Sequence, residues 1–256
     1  MVNKVFDSRL LKVWGCILII VLWWLIKVFF FKSSDFLPSP FVTFEEIYAL
    51  FIKYRLTVDI DATLEKFVLG FGFAAFFGIP AGLILGYWKK GYLIFEIVID
   101  FFRSIPVTAL FPLFILFWGI GNTTIVAMVA IACFFVILIN SAYGVIYVNK
   151  TYLTVMDSLK ATLLQKFTNV VFYEALPFLF VGLRVAISFG LIVVIVAEMF
   201  IGSQYGLGSR IYEAYESSLI TDVYALTIII GGLGYLLNRV FHLAEKRIIH
   251  WKGSQK

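Results

Sequence analysis

Charged residues are scarce in this sequence. Of its 256 residues only 14% are Asp, Glu, Lys or Arg, whereas 62% are hydrophobic, and the mean hydropathy is +0.97. A soluble domain of this length could not bury so much apolar surface, because its surface-to-volume ratio forces polar groups outward. The composition excludes a soluble enzyme or binding module and predicts an integral membrane protein.

Residues with side chains suited to chemistry are equally rare. The two cysteines, Cys16 and Cys133, lie within apolar runs and are predicted to be core residues, which argues against a disulfide framework or a metal site. His242 and His250 stand near the C-terminal end without a paired acid and nucleophile. A phosphate-binding G-x-x-x-x-G-K-[ST] loop is also absent from the sequence. We expect no catalytic residue, metal or cofactor in this chain, so any uphill transport needs energy from a partner.

Long apolar runs, in contrast, are abundant. They are continuous rather than alternating, which favours helices over barrel strands, and most reach the roughly 20 residues that cross about 30 Å of hydrocarbon. The first run follows a basic N-terminal segment and lacks a small-x-small cleavage site, so it is predicted to be a retained span. The predicted fold is all-α with six transmembrane helices, at residues 12–31, 62–88, 92–120, 123–147, 178–200 and 222–243.

Lysine and arginine are unevenly distributed among the connecting segments. Most of them lie on the cytoplasmic side if the N-terminus is inside, which predicts that both termini are cytoplasmic. The net charge of +5 reflects this bias rather than a nucleic-acid partner. We divide the chain into a first helix with an external amphipathic segment (1–61), a transmembrane core (62–251) and a cytoplasmic tail (252–256). The external segment is predicted to hold a helix from Pro40 to Tyr54.

Two spans have unusual residues. The second carries Gly78, Gly82 and Gly86 at four-residue spacing, a small surface that allows close packing either within the chain or between subunits. The third places Glu96, Asp100 and Arg103 on one helix face before Pro106 and Pro112, which interrupt helical hydrogen bonding. Either the Asp100–Arg103 pair is structural at the membrane surface, or Arg103 lies beside a substrate path.

A polar segment at about 148–177 separates spans four and five on the cytoplasmic side. Residues 154–167 are predicted to form one helix with an apolar stripe of Leu153, Met156, Leu159, Leu163 and Leu164. Because no lipid covers such a stripe outside the membrane, the pattern predicts a protein partner.

Several short motifs occur in a characteristic order between residues 37 and 251. They are Leu37-Pro38-Ser39-Pro40, Gly78-Ile79-Pro80-Ala81-Gly82, Arg103-Ser104-Ile105-Pro106, Ala109-Leu110-Phe111-Pro112-Leu113-Phe114, Gly119-Ile120-Gly121, Ala175-Leu176-Pro177, Gly182-Leu183-Arg184, Ala197-Glu198-Met199 and Gly206-Leu207-Gly208. In these motifs the chain resembles the transmembrane permease subunit of binding-protein-dependent bacterial ABC importers, particularly the sulfonate/nitrate/taurine type.

The resemblance implies a type I importer permease in the bacterial inner membrane that alternates between outward and inward access. Its partners would be ABC ATPase subunits that bind ATP and Mg²⁺, a periplasmic or lipid-anchored substrate-binding protein, and a second permease, identical or paralogous. The substrate would be a small anion such as a sulfonate, taurine or nitrate. A structural or signalling subunit without transport, or a secondary transporter, is the alternative.

The family's E-A-A-x-x-x-G coupling motif aligns poorly, with Thr154 at the Glu position and Lys160 at the Gly position. By resemblance the coupling residues would be Thr154, Met156, Asp157, Ser158, Lys160 and Ala161. We place five candidates along the pathway or at its gate: Arg103, Pro106, Asn140, Arg184 and Glu198.

For three of these candidates the sequence leaves a structural role open. Glu198 is either an external gate or a solvated residue of a capped loop. Arg184 either reaches the cytoplasmic surface or pairs with Asp100. Asn140 is expected to form a hydrogen bond to another helix.

Overall fold

The computed structural model describes residues 8–32, 34–52 and 54–249, and these residues form helices and turns, with no strand among them. The predicted tail at 252–256 lies outside the described residues. The helices are α1 (Ser8–Phe30), α2 (Pro40–Ile52), α3 (Leu56–Tyr87), α4 (Lys89–Ser104), α5 (Phe111–Trp118), α6 (Asn122–Ile146), α7 (Lys150–Ser158), α8 (Leu163–Lys166), α9 (Phe172–Ile201), α10 (Leu207–Glu216) and α11 (Ile220–Ile248). A π turn, Phe167–Val171, joins α8 to α9, and a 3₁₀ turn, Val107–Leu110, precedes α5.

Five stretches in the described part of the chain are long and apolar enough to cross a membrane: Val13–Phe30, α3, α6, Leu163–Ile201 and α11. The predicted span at 92–120 is instead broken, because α4 and the helical segment after it meet at a bend of 80°. Ile105 is extended, as the residue before a proline usually is, and Pro106 has no N–H with which to continue the helix. The predicted six spans are therefore five continuous helices and one broken span.

The core consists of α3, α6 and α9. Gly78, Gly82 and Gly86 of α3 face α6, and a Cβ at Gly82 would lie only 2.3 Å from the carbonyl oxygen of Leu138. This glycine surface therefore packs within the chain, and small residues let the two backbones approach closely. Cys133 of α6 is buried in this core as predicted, whereas Cys16 is exposed on the peripheral helix α1.

The outer helices pack against α11. Trp23 of α1 stacks on Tyr224 of α11 with 6.1 Å between the ring centroids. Helix α2 packs on α11 and buries Thr43 and Leu50. It starts where the Ser39-Pro40 signal predicts, since the backbone N–H of Val42 donates to Ser39 Oγ at 3.4 Å. It ends at Ile52, two residues before the predicted Tyr54.

Two helices begin six residues earlier than the sequence predicts. Helix α3 begins at Leu56 rather than 62, and α9 begins at Phe172 rather than 178. The hydropathy pattern ended these spans at Asp61 and Pro177, because polar residues and proline usually mark a boundary. In the structure Asp59 and Lys66 are buried within α3, and α9 continues through Pro177.

Candidate functional site

The helical stretch Leu163–Ile201 is too long for the membrane alone. At 1.5 Å per residue its 39 residues span about 58 Å, nearly twice the roughly 30 Å hydrocarbon thickness. Lys166 and Glu174 lie in its first third, so this end projects from the membrane. The segment at about 148–177, predicted to contact a partner, lies at that projecting end.

This projecting segment is two helices rather than the single helix predicted for residues 154–167. Helix α7 ends at Ser158, and α8 begins at Leu163. Between them Lys160 has a left-handed backbone with φ of 54°, and the N–H of Ala161 donates to the Met156 carbonyl at 3.0 Å. Such a helix end usually has glycine, which has no Cβ to clash. The left-handed residue thus coincides with the Gly position of the aligned coupling motif.

Short-range contacts hold the two helices of this segment. Asn149 caps α7 by accepting the Thr151 N–H at 2.9 Å. Thr162 and Gln165 form a capping box at the start of α8, with each side chain accepting the other's backbone N–H. An ion pair between Asp157 and Lys166 connects the two helices.

The tip of this segment is apolar and exposed. Leu159, Leu163 and Leu164 are 72%, 67% and 71% exposed. A cleft of about 470 Å³ lies beside it, lined by Tyr152, Val155, Met156, Asn169, Val170, Tyr173 and Glu174. We call α7, the turn and α8 the docking segment, since exposed apolar side chains outside the membrane indicate a protein-binding surface.

The predicted coupling residues all lie in the docking segment. Thr154, Asp157, Ser158 and Lys160 are exposed, whereas Met156 and Ala161 are half-buried. The hydroxyls of Thr154 and Ser158 donate to carbonyls one turn earlier in α7, at 3.1 Å each. Their role in coupling stays a prediction.

The opposite end of α9 carries a buried polar cluster. Lys66 Nζ lies 2.7 Å from Glu198 Oε1, and the two side chains are 3% and 0% exposed. The Thr63 hydroxyl donates to the same carboxylate at 3.0 Å. The alternative of a solvated Glu198 was therefore wrong, because the carboxylate is enclosed and paired.

Three successive backbone N–H groups point into this cluster. Gly206 donates to Asp59 Oδ1 at 3.0 Å, Leu207 donates to Thr63 Oγ1 at 2.9 Å, and Gly208 donates to Glu198 Oε2 at 2.9 Å. These groups open α10, where N–H donors lack partners within the helix and the helix dipole favours negative charge. The N-terminus of α10 is thus capped by side chains from α3 and α9.

Lys66 extends the cluster to the loop between α9 and α10. Its ammonium donates to Ser203 Oγ at 2.8 Å and to the Tyr205 carbonyl at 2.7 Å. We call Asp59, Thr63, Lys66 and Glu198 the α10-capping cluster.

The first three residues of this cluster were missed as site residues in the sequence. Asp59, Thr63 and Lys66 follow one another at intervals of four and three, which places them on one face of α3. The predicted span began at residue 62 and left Asp59 outside the helix, so the shared face is recognised only when the helix begins at Leu56.

The other pathway candidates lie apart from one another. Arg103 Nη2 is 3.3 Å from Asp100 Oδ1 at the end of α4, and both side chains are more than half exposed. Pro106 is exposed at the break that follows. The pair predicted for Asp100 and Arg103 therefore exists, while a position of Arg103 beside a substrate path stays a prediction.

Two other candidates have partners that differ from those predicted. Arg184 pairs with Glu245 of α11, not with Asp100, and His242 Nδ1 lies 3.1 Å from the same carboxylate. Asn140 donates to the Val136 carbonyl of its own helix at 2.8 Å rather than to another helix. The side chain has this partner because a carbonyl one turn earlier is always within reach. Among the described residues, no hydrogen bond or ion pair joins any two of the five pathway candidates.

A helical membrane protein with a broken span and a projecting docking segment matches a known class of transporter subunit. Residues 78–250 match the family described as binding-protein-dependent transport system inner membrane component, and the chain belongs to this family. It is therefore a multi-pass inner-membrane permease subunit of an ABC importer, as the sequence motifs predicted, and is not itself the catalytic subunit.

Individual relatives agree with this assignment. The chain is 31% identical over 222 residues to the nitrate import permease protein NrtB of Synechocystis sp., covering 83% of this chain and 80% of the relative. It is 28% identical over 242 residues to the taurine transport system permease protein TauC of Escherichia coli, covering 92% and 87%. The methionine ABC transporter MetNI has a similar chain, with a TM-score of 0.64 and 20% identity over 78% of this chain and 96% of that one.

Proposed function

We propose that this permease forms half of the translocation path for a small anion and is driven by a separate ATPase bound to the docking segment. The observation that carries the proposal is the exposed leucine tip on the projecting end of the Leu163–Ile201 stretch. Burying a leucine side chain contributes about 1.5–3 kcal/mol. A groove that covers Leu159, Leu163 and Leu164 would therefore gain several times the thermal energy.

The energy source follows from what the sequence lacks. With no phosphate-binding loop in the 256 residues, ATP and Mg²⁺ belong to the partner ATPase. ATP-driven closure of two ATPase subunits would draw the docking segments together and change which side of the membrane the path opens to.

The substrate-binding protein would contact the predicted external segments at 32–61 and 202–222. The cytoplasmic location of both termini is part of this proposal and rests on the distribution of Lys and Arg.

A second permease completes the path. Arg103 and Pro106 lie exposed on the surface of the single chain, so another subunit would have to cover them if they line a path. We propose a homodimer, because closed two-fold symmetry is the commonest way to assemble identical subunits. A heterodimer with a paralogous permease is the alternative, and its other half would carry the standard coupling motif.

The substrate class comes from the relatives. NrtB and TauC are named as nitrate and taurine permeases, and other relatives are named as permeases for aliphatic sulfonates and bicarbonate. All of these substrates carry a small anionic group. A guanidinium such as that of Arg103 binds such groups through paired hydrogen bonds. The proposal fails if the cognate binding protein captures only neutral or cationic ligands.

Purification of the native complex tests the proposed function. The protein is tagged at the C-terminus and extracted gently, and mass spectrometry gives the identity and stoichiometry of what co-purifies. Two permease copies with two ATPase subunits would support the homodimer, and a second, different permease would support the heterodimer. The absence of an ATPase, under conditions that preserve a control importer, would overturn the importer mechanism in favour of a non-transporting subunit.

A matched pair of variants locates the contact. Leu163→Ser combined with Leu164→Ser removes two leucines from the docking tip, and we expect the ATPase to be lost from the purified complex. Leu219→Ser alters a leucine that is 51% exposed in the turn between α10 and α11, away from the docking segment. That control should keep the ATPase, and loss in both or in neither would contradict the docking site.

A further inference from the structure

The α10-capping cluster is not explained by stability alone. A buried ion pair gains little net stability, since removing two charges from water offsets their attraction, and charged groups within a membrane protein usually have a function. The polar side chains of this cluster form hydrogen bonds to one neighbouring segment, residues 203–208. Asp59, Thr63, Lys66 and Glu198 together form five hydrogen bonds to side-chain and backbone atoms of residues 203–208.

The fit between the cluster and α10 is close. A Cβ at Gly206 would lie 2.4 Å from Glu198 Oε1, and one at Gly208 would lie 2.2 Å from the Ile195 carbonyl oxygen. Both distances are shorter than van der Waals contact, so only glycine fits at these two positions while α10 lies this close to α9. Arg210 adds a further tie, with its Nε 3.4 Å from Asp59 Oδ2.

The position of α10 means that its attachment to the cluster could carry a displacement to α3 and α9. One face of α10 is buried through Leu207 and Ala214, and the other exposes Tyr212, Glu213, Tyr215 and Glu216. The helix lies at the end of α9 that is opposite the docking segment. A displacement of α10 would therefore act through the cluster on α3 and α9, and α9 continues through the π turn to α8.

We propose that Thr63, Lys66 and Glu198 are positioning residues that fix α10 to α3 and α9, and that this attachment transmits docking of the binding protein to the ATPase-bound end. The inference rests on the proposed function, because it assumes a binding protein on the α10 side and an ATPase at the other end. None of these three residues needs to touch the substrate for this role.

Hydrogen–deuterium exchange of the purified permease tests the positioning without any partner. In Thr63→Val the Leu207 N–H loses its acceptor, and we expect the amides of residues 206–208 to exchange about ten-fold faster, as loss of one hydrogen bond implies. Lys66→Met removes the three hydrogen bonds that the ammonium donates to Glu198, Ser203 and Tyr205, and we expect faster exchange of the same amides because α10 is then less firmly held. Thr227→Val is the matched control, since Thr227 donates to its own helix carbonyl at 2.7 Å. Unchanged exchange at 206–208 in Thr63→Val would overturn the positioning role, even if Lys66→Met fails to fold.

Transmission is tested in the reconstituted complex by ATP hydrolysis with and without loaded binding protein. We expect the stimulation ratio to fall several-fold in Thr63→Val and to stay at the wild-type value in Thr227→Val. Faster exchange with an unchanged ratio would overturn the transmission. If the wild-type complex shows no ATP hydrolysis, the proposed function fails, whereas the exchange result stands independently.

A charge swap separates the ion pair from the cap. Lys66→Glu combined with Glu198→Lys restores opposite charges, but the Gly208 N–H then faces an ammonium group that cannot accept a hydrogen bond. We expect exchange at 206–208 to remain fast and the stimulation to remain low. Full recovery of both would show that the pair alone matters and would overturn the capping role.

Discussion

The two ends of α9 are constructed in opposite ways. The hydrogen bonds and the ion pair described for the docking segment join residues at most nine positions apart, as in Asp157–Lys166, and the segment exposes leucines. The α10-capping cluster is held mainly by contacts between residues more than 130 positions apart, such as Lys66–Glu198, and it buries charge. A locally constructed segment can move as a unit when a partner binds, whereas the cluster ties three helices together. The predictions that follow test this contrast by removing contacts from each region.

The largest effect is expected from Glu198→Ala. The substitution leaves Lys66 charged, buried and without its carboxylate, which destabilises a folded protein by about 3–5 kcal/mol. Thermal unfolding of the detergent-purified protein measures the loss, and Glu216→Ala on the exposed face of α10 is the control. Equal stability of the two variants would contradict the enclosed ion pair.

Gly208→Ala should have the next largest effect. The added methyl group would overlap the Ile195 carbonyl, and such overpacking typically costs about 1–3 kcal/mol. Gly231→Ala is the control, because nothing lies within 4 Å of a Cβ at that helical position. The control should be neutral or more stable by up to about 1 kcal/mol. A Gly208→Ala protein that unfolds at the wild-type temperature would contradict the close packing of α10.

In the docking segment, Lys160→Gly should stabilise rather than destabilise. A left-handed backbone disfavours any residue with a Cβ by about 1–2 kcal/mol, and the greater freedom of glycine in the unfolded chain offsets part of the gain. We expect a net increase of up to about 1 kcal/mol in the free energy of unfolding. Ser158→Gly, within α7, should instead lower stability, and the opposite order would argue against the left-handed turn.

The smallest effect is expected from Asp157→Asn. Asp157 is largely exposed, and an exposed ion pair contributes about 0–1 kcal/mol, which salt reduces further. The variant should differ measurably from the wild type only at low ionic strength. A loss that persists at high salt would mean that Asp157–Lys166 is more than a surface contact.

The helical architecture and the family were predictable from the sequence. Apolar run length and the ordered motifs indicated a multi-span permease, and both were confirmed. The break at Pro106 was only half anticipated. Proline predicts a kink, but a bend of 80° depends on what packs on both sides.

The polar interior was not predictable to the same degree. Asp59 and Lys66 were not among the predicted site residues, because nothing near them in the sequence distinguishes them from the charged residues that usually flank a span. Their burial depends on Glu198, which lies 132 residues beyond Lys66 in the chain. The residues near Lys66 in the sequence do not indicate so distant a partner. The pairing of Arg184 with Glu245 was unpredictable for the same reason.

By itself the sequence determined that this chain crosses a membrane several times, since hydrophobic burial depends on composition and run length alone. The caps of α7 and α8 are local as well, because those hydrogen bonds join residues two or three positions apart, although the single helix predicted for residues 154–167 missed them. Only the tertiary structure decided which charges are enclosed and where α10 is attached. Those outcomes require groups from distant helices to meet, and they meet only when the apolar packing of α3, α6 and α9 brings them together.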